Sequence, residues 1–199
     1  APTTPRVTRG NTFVSVTWTP RADGGMPITG YRATASPSGQ MCESITPACT
    51  ISGLPNGIAQ TVQVVARNSV GTSQPSAPSA SVTPATTPAT PHIESASRLN
   101  RGAVVVWKTP TDDGGDAVVS YLVRVTQGSN LVSESTTSST SASLDGLTNG
   151  VTYGIVVSAA NTVGSGGFSN PTFVTPATVP DAPGAMTARR QDSGTDLSW

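Results

Sequence analysis

Apolar and polar residues alternate in short runs along this chain. Val14, Val16 and Trp18 fall on one side of a run whose other side is Ser15 and Thr17. A period of two marks a strand with one buried face. Tyr31, Ala33 and Ala35 repeat the pattern, then Cys49 and Ile51 with Leu54, then Val62, Val64 and Ala66. In the second half Ile93 leads. Ala103, Val105 and Trp107 follow, then Tyr121, Val123 and Val125, then Leu144 and Leu147, then Tyr153, Ile155, Val157 and Ala159, and last Phe173. All of these are expected to face inward. Helical spacing recurs nowhere. Turn residues separate the runs, at 20–25, 36–39 and 110–115, where glycine supplies backbone angles that other residues resist. Pro2 and Pro5 ahead of Val7 predict a short edge strand, because proline cannot donate to a ladder. Residues 68–76 read as a long polar loop, after which a last strand closes at Val82.

The pattern occurs twice. Trp18 and Trp107 are 89 residues apart, and Trp199 follows 92 later. Gly53-Leu54-Pro55-Asn56-Gly57 returns as Gly146-Leu147-Thr148-Asn149-Gly150. Asn68-Ser69-Val70-Gly71 returns as Asn161-Thr162-Val163-Gly164, and Val82-Thr83-Pro84 as Val174-Thr175-Pro176. Such a period is too long for a solenoid unit and suits a small independent domain. The expected organisation is a first domain over residues 1–84, a Pro/Thr linker at 85–91 and a second domain over 92–176. Residues 177–199 then form a linker and the first two strands of an incomplete third. Roughly seven short strands and one tryptophan per repeat describe an all-β chain of tandem two-sheet sandwiches. An isolated hairpin is marginal in water. Burial of Met186 and Trp199 is therefore expected from continuation of the chain, in preference to strand addition by a neighbour. The linker prolines favour extended conformations, so a semi-rigid rod is expected rather than a compact pair.

Composition narrows the function. Formal net charge is zero and charged residues are 11% of the chain, so no basic stripe tracks a nucleic-acid backbone. No apolar run is long enough to span a bilayer. His92, the one histidine, sits beside Pro91 and reads as an exposed linker residue. The serines lack a Gly-x-Ser-x-Gly elbow, and Gly164-Ser165-Gly166-Gly167 lacks the third glycine of a dinucleotide fingerprint. Asp112, Asp113 and Asp116 crowd one turn without the spacing of a calcium loop, and the first repeat keeps only Asp23. They read as solvated turn residues. No cofactor, metal or catalytic group is expected. Cys42 and Cys49 flank six residues. In a Ser/Thr-rich chain with a secreted character they read as a local disulfide, two reduced buried thiols being the alternative. Closing that loop stabilises by about 2.5 kcal/mol in the chain-entropy treatment. The matching places in the second repeat fall near Val132 and at Ala142.

The order of a Pro-rich start, Trp18, an Asp-Gly-Gly turn, Tyr31, Gly-Leu-x-Asn-Gly and Ala-x-Asn-x-x-Gly resembles the fibronectin type III family in its bacterial extracellular style. Two copies cover residues 1–176. The resemblance implies that Trp18 and Trp107 fill the core from the second strand of each unit; Tyr31 and Tyr121 read as core residues of the next strand. Tyr153 stands where the family places its tyrosine corner. Gln60 occupies that place in the first unit, so the corner is expected to be missing there or replaced by an amide hydrogen bond. Arg9-Gly10-Asn11 and Arg101-Gly102-Ala103 lack the Asp of the integrin-binding tripeptide, and nothing is carried over from it. The implied function is a non-catalytic extracellular spacer and adhesion module in a larger secreted or cell-surface protein, a surface filament among them. Its partners would be a protein or a cell-wall or polysaccharide surface, or other copies of itself. Two alternatives are a virion or tail appendage module, and a carbohydrate-binding accessory domain of a polysaccharide-degrading enzyme. The loops at 71–76 and 164–170 are where such sandwiches bind partners. Phe168 is the one suggestive residue there, ordinary partial burial being the other reading.

Overall fold

The computed structural model describes residues 1–182, 184, 187–191 and 194–198, with side chains through residue 182. Every element described is a β-strand. In the first unit β1 (Arg6–Arg9), β2 (Phe13–Thr17) and β5 (Ala48–Ser52) form one antiparallel sheet in the order β1-β2-β5. β3 (Gly30–Ser36), β4 (Met41–Ser44) and β6 (Thr61–Arg67) form the other, in the order β4-β3-β6. The inward positions of the two sheets meet in a core of Val14, Val16, Trp18, Tyr31, Ala33, Ala35, Ile51, Leu54, Val62 and Val64. Ala66 and Val82 are half-buried at its margin. Each fully buried Val, Ile or Leu side chain here contributes roughly 1.5–3 kcal/mol relative to exposure.

The second unit is built likewise. β7 (His92–Leu99), β8 (Gly102–Lys108) and β11 (Ser141–Asp145) make one sheet. β9 (Ser120–Gln127), β10 (Asn130–Thr137), β12 (Tyr153–Ala160), β13 (Ser165–Phe168) and β14 (Thr172–Val174) make the other, with β13 and β14 both pairing β12. Trp107 packs on Tyr121 with ring centroids 5.5 Å apart, as Trp18 packs on Tyr31 at 5.3 Å. Both indole N–H groups are buried without a hydrogen-bond partner. Each unit accepts that desolvation cost to seat its largest side chain between the sheets. Beyond the second unit β15 (Thr187–Gln191) pairs antiparallel with β16 (Gly194–Ser198). The expectations for Met186 and Trp199, and Pro183 of the second linker, lie outside the described residues.

Three expectations need correction. Phe173 faces outward at 67% exposure, and its neighbour Val174 is the buried residue. β14 pairs Val174 with Tyr153, and the two-residue period sends Phe173 to the opposite face. The residue matching Cys42 is not near Val132 but Ser135, since Ser135 lies across from Val123 as Cys42 lies across from Ala33. The longer β9-β10 hairpin shifts the register that sequence spacing alone assumes by two residues, and a bulge between Leu131 and Ser133 shifts it by one more.

The third concerns the closing edge of the first unit, where neither a plain loop nor a strand follows Asn68. Pro75 and Pro78 cannot donate to β6, so a regular ladder is impossible. Ser73, Ser76 and Ser79 take over at every third residue. Their backbone N–H groups donate to Ala66 O, Val64 O and Val62 O at 2.8, 2.9 and 2.9 Å. Their hydroxyls accept from Ala66 N, Val64 N and Val62 N at 3.0, 3.0 and 2.9 Å. Each hydroxyl then donates to the next residue's carbonyl. The side chain thus satisfies the strand N–H left over when the edge chain runs with a period of three.

Candidate functional site

The two units meet through a strap and a pair of loops. The strap begins at Pro84, whose carbonyl accepts from Gly57 N at 2.9 Å, while Ala85 N donates to Gly10 O at 3.1 Å. It then crosses to the second unit. Thr86 N donates to Gly114 O and Ala89 N to Asp112 O, both at 2.9 Å. Pro84, Ala85, Pro88 and Pro91 are buried. Proline fixes φ and needs no donor partner, so an extended strap with few N–H groups to satisfy fits this path.

Asn161 is the hub on the second unit. It is buried, and its Oδ1 accepts from Val163 N at 2.9 Å and Gly164 N at 3.2 Å, closing the loop after β12. Its Nδ2 donates to Asp113 O at 2.9 Å, to Asp116 O at 3.3 Å and across the joint to Thr86 O at 2.7 Å. Backbone approaches so closely here that side chains are excluded. Gly114 and Gly115 have φ of 77° and 82°, and a Cβ on either would collide with Thr86 or with Asn56 and Gly57. The Asp-Gly-Gly turn therefore does more than turn the chain. It presents a flat backbone surface to the strap and to the first unit.

The three aspartates of this turn are each engaged. Asp112 Oδ1 accepts from Gly114 N at 2.9 Å and Asp113 Oδ1 from Gly115 N at 2.8 Å, which are Asx turns. Asp116 Oδ2 lies 3.2 Å from Arg9 Nη1 of the first unit and accepts from the Thr162 hydroxyl. Arg9 Nη2 donates to Thr162 Oγ1 at 2.8 Å. This pair is partly solvent-exposed, so its energetic weight is small, about 0–1 kcal/mol. Its geometric weight is larger, because it fixes one sheet end against the opposite loop. Among the described residues no group of three metal-binding side chains converges.

The Gly-Leu-x-Asn-Gly motif has a role that spacing alone does not reveal. Asn56 Oδ1 accepts from Thr12 N at 2.9 Å, and its Nδ2 donates to Asn11 Oδ1 at 2.9 Å. Asn149 repeats this on Arg101 N and Asn100 Oδ1, both at 2.8 Å. Thr12 and Arg101 have φ of 59° and 56°, an unfavourable region for these residue types. The amide braces that strained hairpin turn in both units, and it sits beside Gly57, which enters the joint.

The remaining singled-out residues do not converge on one site. Cys42 and Cys49 are bonded, joining β4 of one sheet to β5 of the other. Tyr153 Oη accepts from Thr148 N at 3.0 Å. Gln60, also buried, accepts from Ser38 N at 3.2 Å and donates to Ile58 O at 3.4 Å. His92 is exposed in β7. Phe168 closes β13 at 37% exposure, with the Arg124 guanidinium 4.5 Å above its ring. Glu134 Oε2 holds that guanidinium through Nε and Nη2, both at 2.8 Å. Lys108 is held 2.6 Å from Glu94; the hydrogen bond first and the charge second raise the amine above its usual pKa.

Two sheet-on-sheet units, each with one indole at its centre and a strap between them, define a tandem β-sandwich protein. The chain matches the description "Fibronectin type III domain" over residues 1–82 and again over 87–175, and it belongs to that family. It is 33% identical over 168 residues to the Kelch domain-containing protein SSO1033 of Saccharolobus solfataricus, covering 82% of this chain and 23% of that protein. It is 27% identical over 167 residues to Endoglucanase B of Cellulomonas fimi, covering 78% of this chain and 16% of that one. The chain thus spans less than a quarter of either relative. Among solved structures it is similar to the FN1-FN3 domains of chicken CNTN1. The TM-score is 0.41 and the identity 18%, covering 100% of this chain and 74% of that one.

Proposed function

We propose that this chain is a non-catalytic spacer of a larger secreted or cell-surface protein, and that its working part is the joint. The single observation that carries this is the strap: its buried prolines and its hydrogen bonds to Gly114 O, Asp112 O and Asn161 Nδ2 hold the units in one relation. Linked sandwiches without such contacts move independently by default. A spacer needs the reverse, because a stiff connection sets a distance. The Cys42–Cys49 bond supports an oxidising, extracellular setting. Partial alignment in solution tests the reading. Backbone dipolar couplings of the two units should fit one alignment tensor. Replacing residues 85–91 by glycine and serine should make the two tensors diverge. Divergent tensors in the unaltered chain would refute a spacer.

The match to Endoglucanase B and an outward aromatic pair on the second unit favour one further reading, an accessory role on polysaccharide. Phe168 lies across from Ser158 and Phe173 across from Gly154 on the same strand, β12. Apolar ring faces of this kind can stack on sugars. Pull-down on insoluble cellulose and chitin tests it; retention that survives Phe168→Ala and Phe173→Ala together would remove this face from consideration.

A further inference from the structure

The joint has a second half-copy at the far end of the first unit. Asp23-Gly24-Gly25 occupies the place of Asp113-Gly114-Gly115, and Asn68 the place of Asn161. Asn68 Oδ1 accepts from Val70 N and Gly71 N at 3.0 and 3.1 Å, and its Nδ2 donates to Asp23 O and Met26 O at 2.9 and 3.3 Å. These are four of the five bonds of Asn161. The fifth, to the strap, has no counterpart among the described residues. Where a Cβ on Gly114 meets Thr86, a Cβ on Gly24 meets nothing within 4 Å. The loops surround a cleft of ≈ 480 Å³ lined by Asp23, Gly24, Asn68 and Gly71, with Ala1 and Pro2 at one side.

The start of the chain enters this cleft as the strap enters the other. Thr3 N donates to Thr19 O at 3.1 Å, in the register that pairs His92 with Lys108. Pro2, buried, therefore stands where Pro91 stands, and Ala1 where Thr90 does. Four residues leading into Ala1 would run where Thr86, Thr87, Pro88 and Ala89 run. Gly24 O and Ala22 O match the acceptors Gly114 O and Asp112 O, and no protein donor reaches either among the described residues. The ion pair is not repeated, since Met26 replaces Asp116 and Ser69 replaces Thr162. The cleft thus reproduces the strap-binding half of the joint and not its charged latch.

We propose that this cleft is a second strap site, which takes an extended, proline-spaced Thr/Ala segment leading into Ala1 from a preceding unit of the same fold. Two backbone N–H groups of that segment donate to Gly24 O and Ala22 O, and one of its carbonyls accepts from Asn68 Nδ2. The inference deepens the spacer reading, since a rod of more than two units needs each joint made the same way. The test reads the cleft alone, so its failure would leave the joint between the two units standing.

The experiment places a copy of residues 84–89 directly ahead of Ala1 in the full chain, so that Ala1 itself takes the place of Thr90. Amide exchange of the copied Thr86 and Ala89 should slow by about tenfold or more against an unstructured segment. The Gly24 amide and the Asn68 side-chain amide should shift in the same spectra. Exchange at unstructured rates would overturn the proposal. Gly24→Val in the extended chain should release the segment while the Val62 and Val64 amides stay protected. Protection of the segment that survives this change places it elsewhere and also overturns the proposal. A dilution series of the unextended chain separates the other occupant. Concentration-dependent shifts at Gly24 would mean that residues 177–182 of a second copy fill the cleft, and would overturn the assignment to a leading segment.

Discussion

The two units close the same sandwich by different chemistry. The second unit has a longer pair of central strands, two short strands covering the open edge of β12, and a tyrosine hydroxyl tied to Thr148. The first has shorter strands and prolines along the equivalent edge. It compensates with a disulfide between its sheets, a buried Gln60 amide in place of the tyrosine, and three serine hydroxyls in place of a strand. The comparison teaches that each unit of this chain satisfies its edge N–H groups and ties its two sheets, and that the two do so largely with different residues. One device is common to both units, the serine at the matching positions 76 and 169. Ser169 repeats the bonds of Ser76, with its N–H donating to Val157 O at 2.8 Å and its hydroxyl accepting from Val157 N at 3.1 Å.

The sharpest way to separate the units is to empty one core. Trp107→Ala should remove about 3–5 kcal/mol from the second unit. Calorimetry should then resolve two transitions, with the first unit melting near its original temperature; a single shared transition would show that the joint couples their unfolding. Next in size, Cys42→Ser with Cys49→Ser should cost the first unit about 2.5 kcal/mol, by restoring loop freedom to its unfolded chain. Chemical denaturation should leave the second unit's midpoint unchanged. Ser76→Ala should cost about 1–3 kcal/mol, since Val64 N is then buried without an acceptor. Ser169→Ala should cost a similar amount through Val157 N. A loss confined to Ser76→Ala would mean that the strands β13 and β14 make the second unit indifferent to its serine.

Smaller effects follow. Tyr153→Phe should cost about 1 kcal/mol in thermal melts by removing the acceptor for Thr148 N. Glu94→Gln should bring the least change. Lys108 has a raised pKa, so any stability it adds is complete below its usual value of about 10.4 and is lost as pH rises through the raised one. The variant should melt as before at neutral pH, and the Lys108 titration followed by NMR should fall back toward that usual value.

Much of this molecule was written in its alternation. Val14, Val16 and Trp18, and their partners in the second unit, are buried because a strand offers opposite faces to consecutive residues, whatever its neighbours are. The repeat was legible because the same anchor residues recur in the same order while the spacing between them drifts by a few residues. The register of Phe173, the serine ladder and the strap site were not. Each depends on which backbone lies alongside. Phe173 faces out because Val174 is paired with Tyr153, 21 residues earlier. Ser73, Ser76 and Ser79 look like loop composition until β6 is placed beside them.

Local pattern therefore decided the class of fold, the tandem repeat and most residues of both cores, because hydrophobic burial acts on each position through its own side chain. Tertiary structure alone decided that Asn161 reaches Thr86 and Arg9 reaches Asp116, 75 and 107 residues away. Hydrogen bonds are short and directional, so no spacing along the chain announces a donor and an acceptor that folding has yet to bring together.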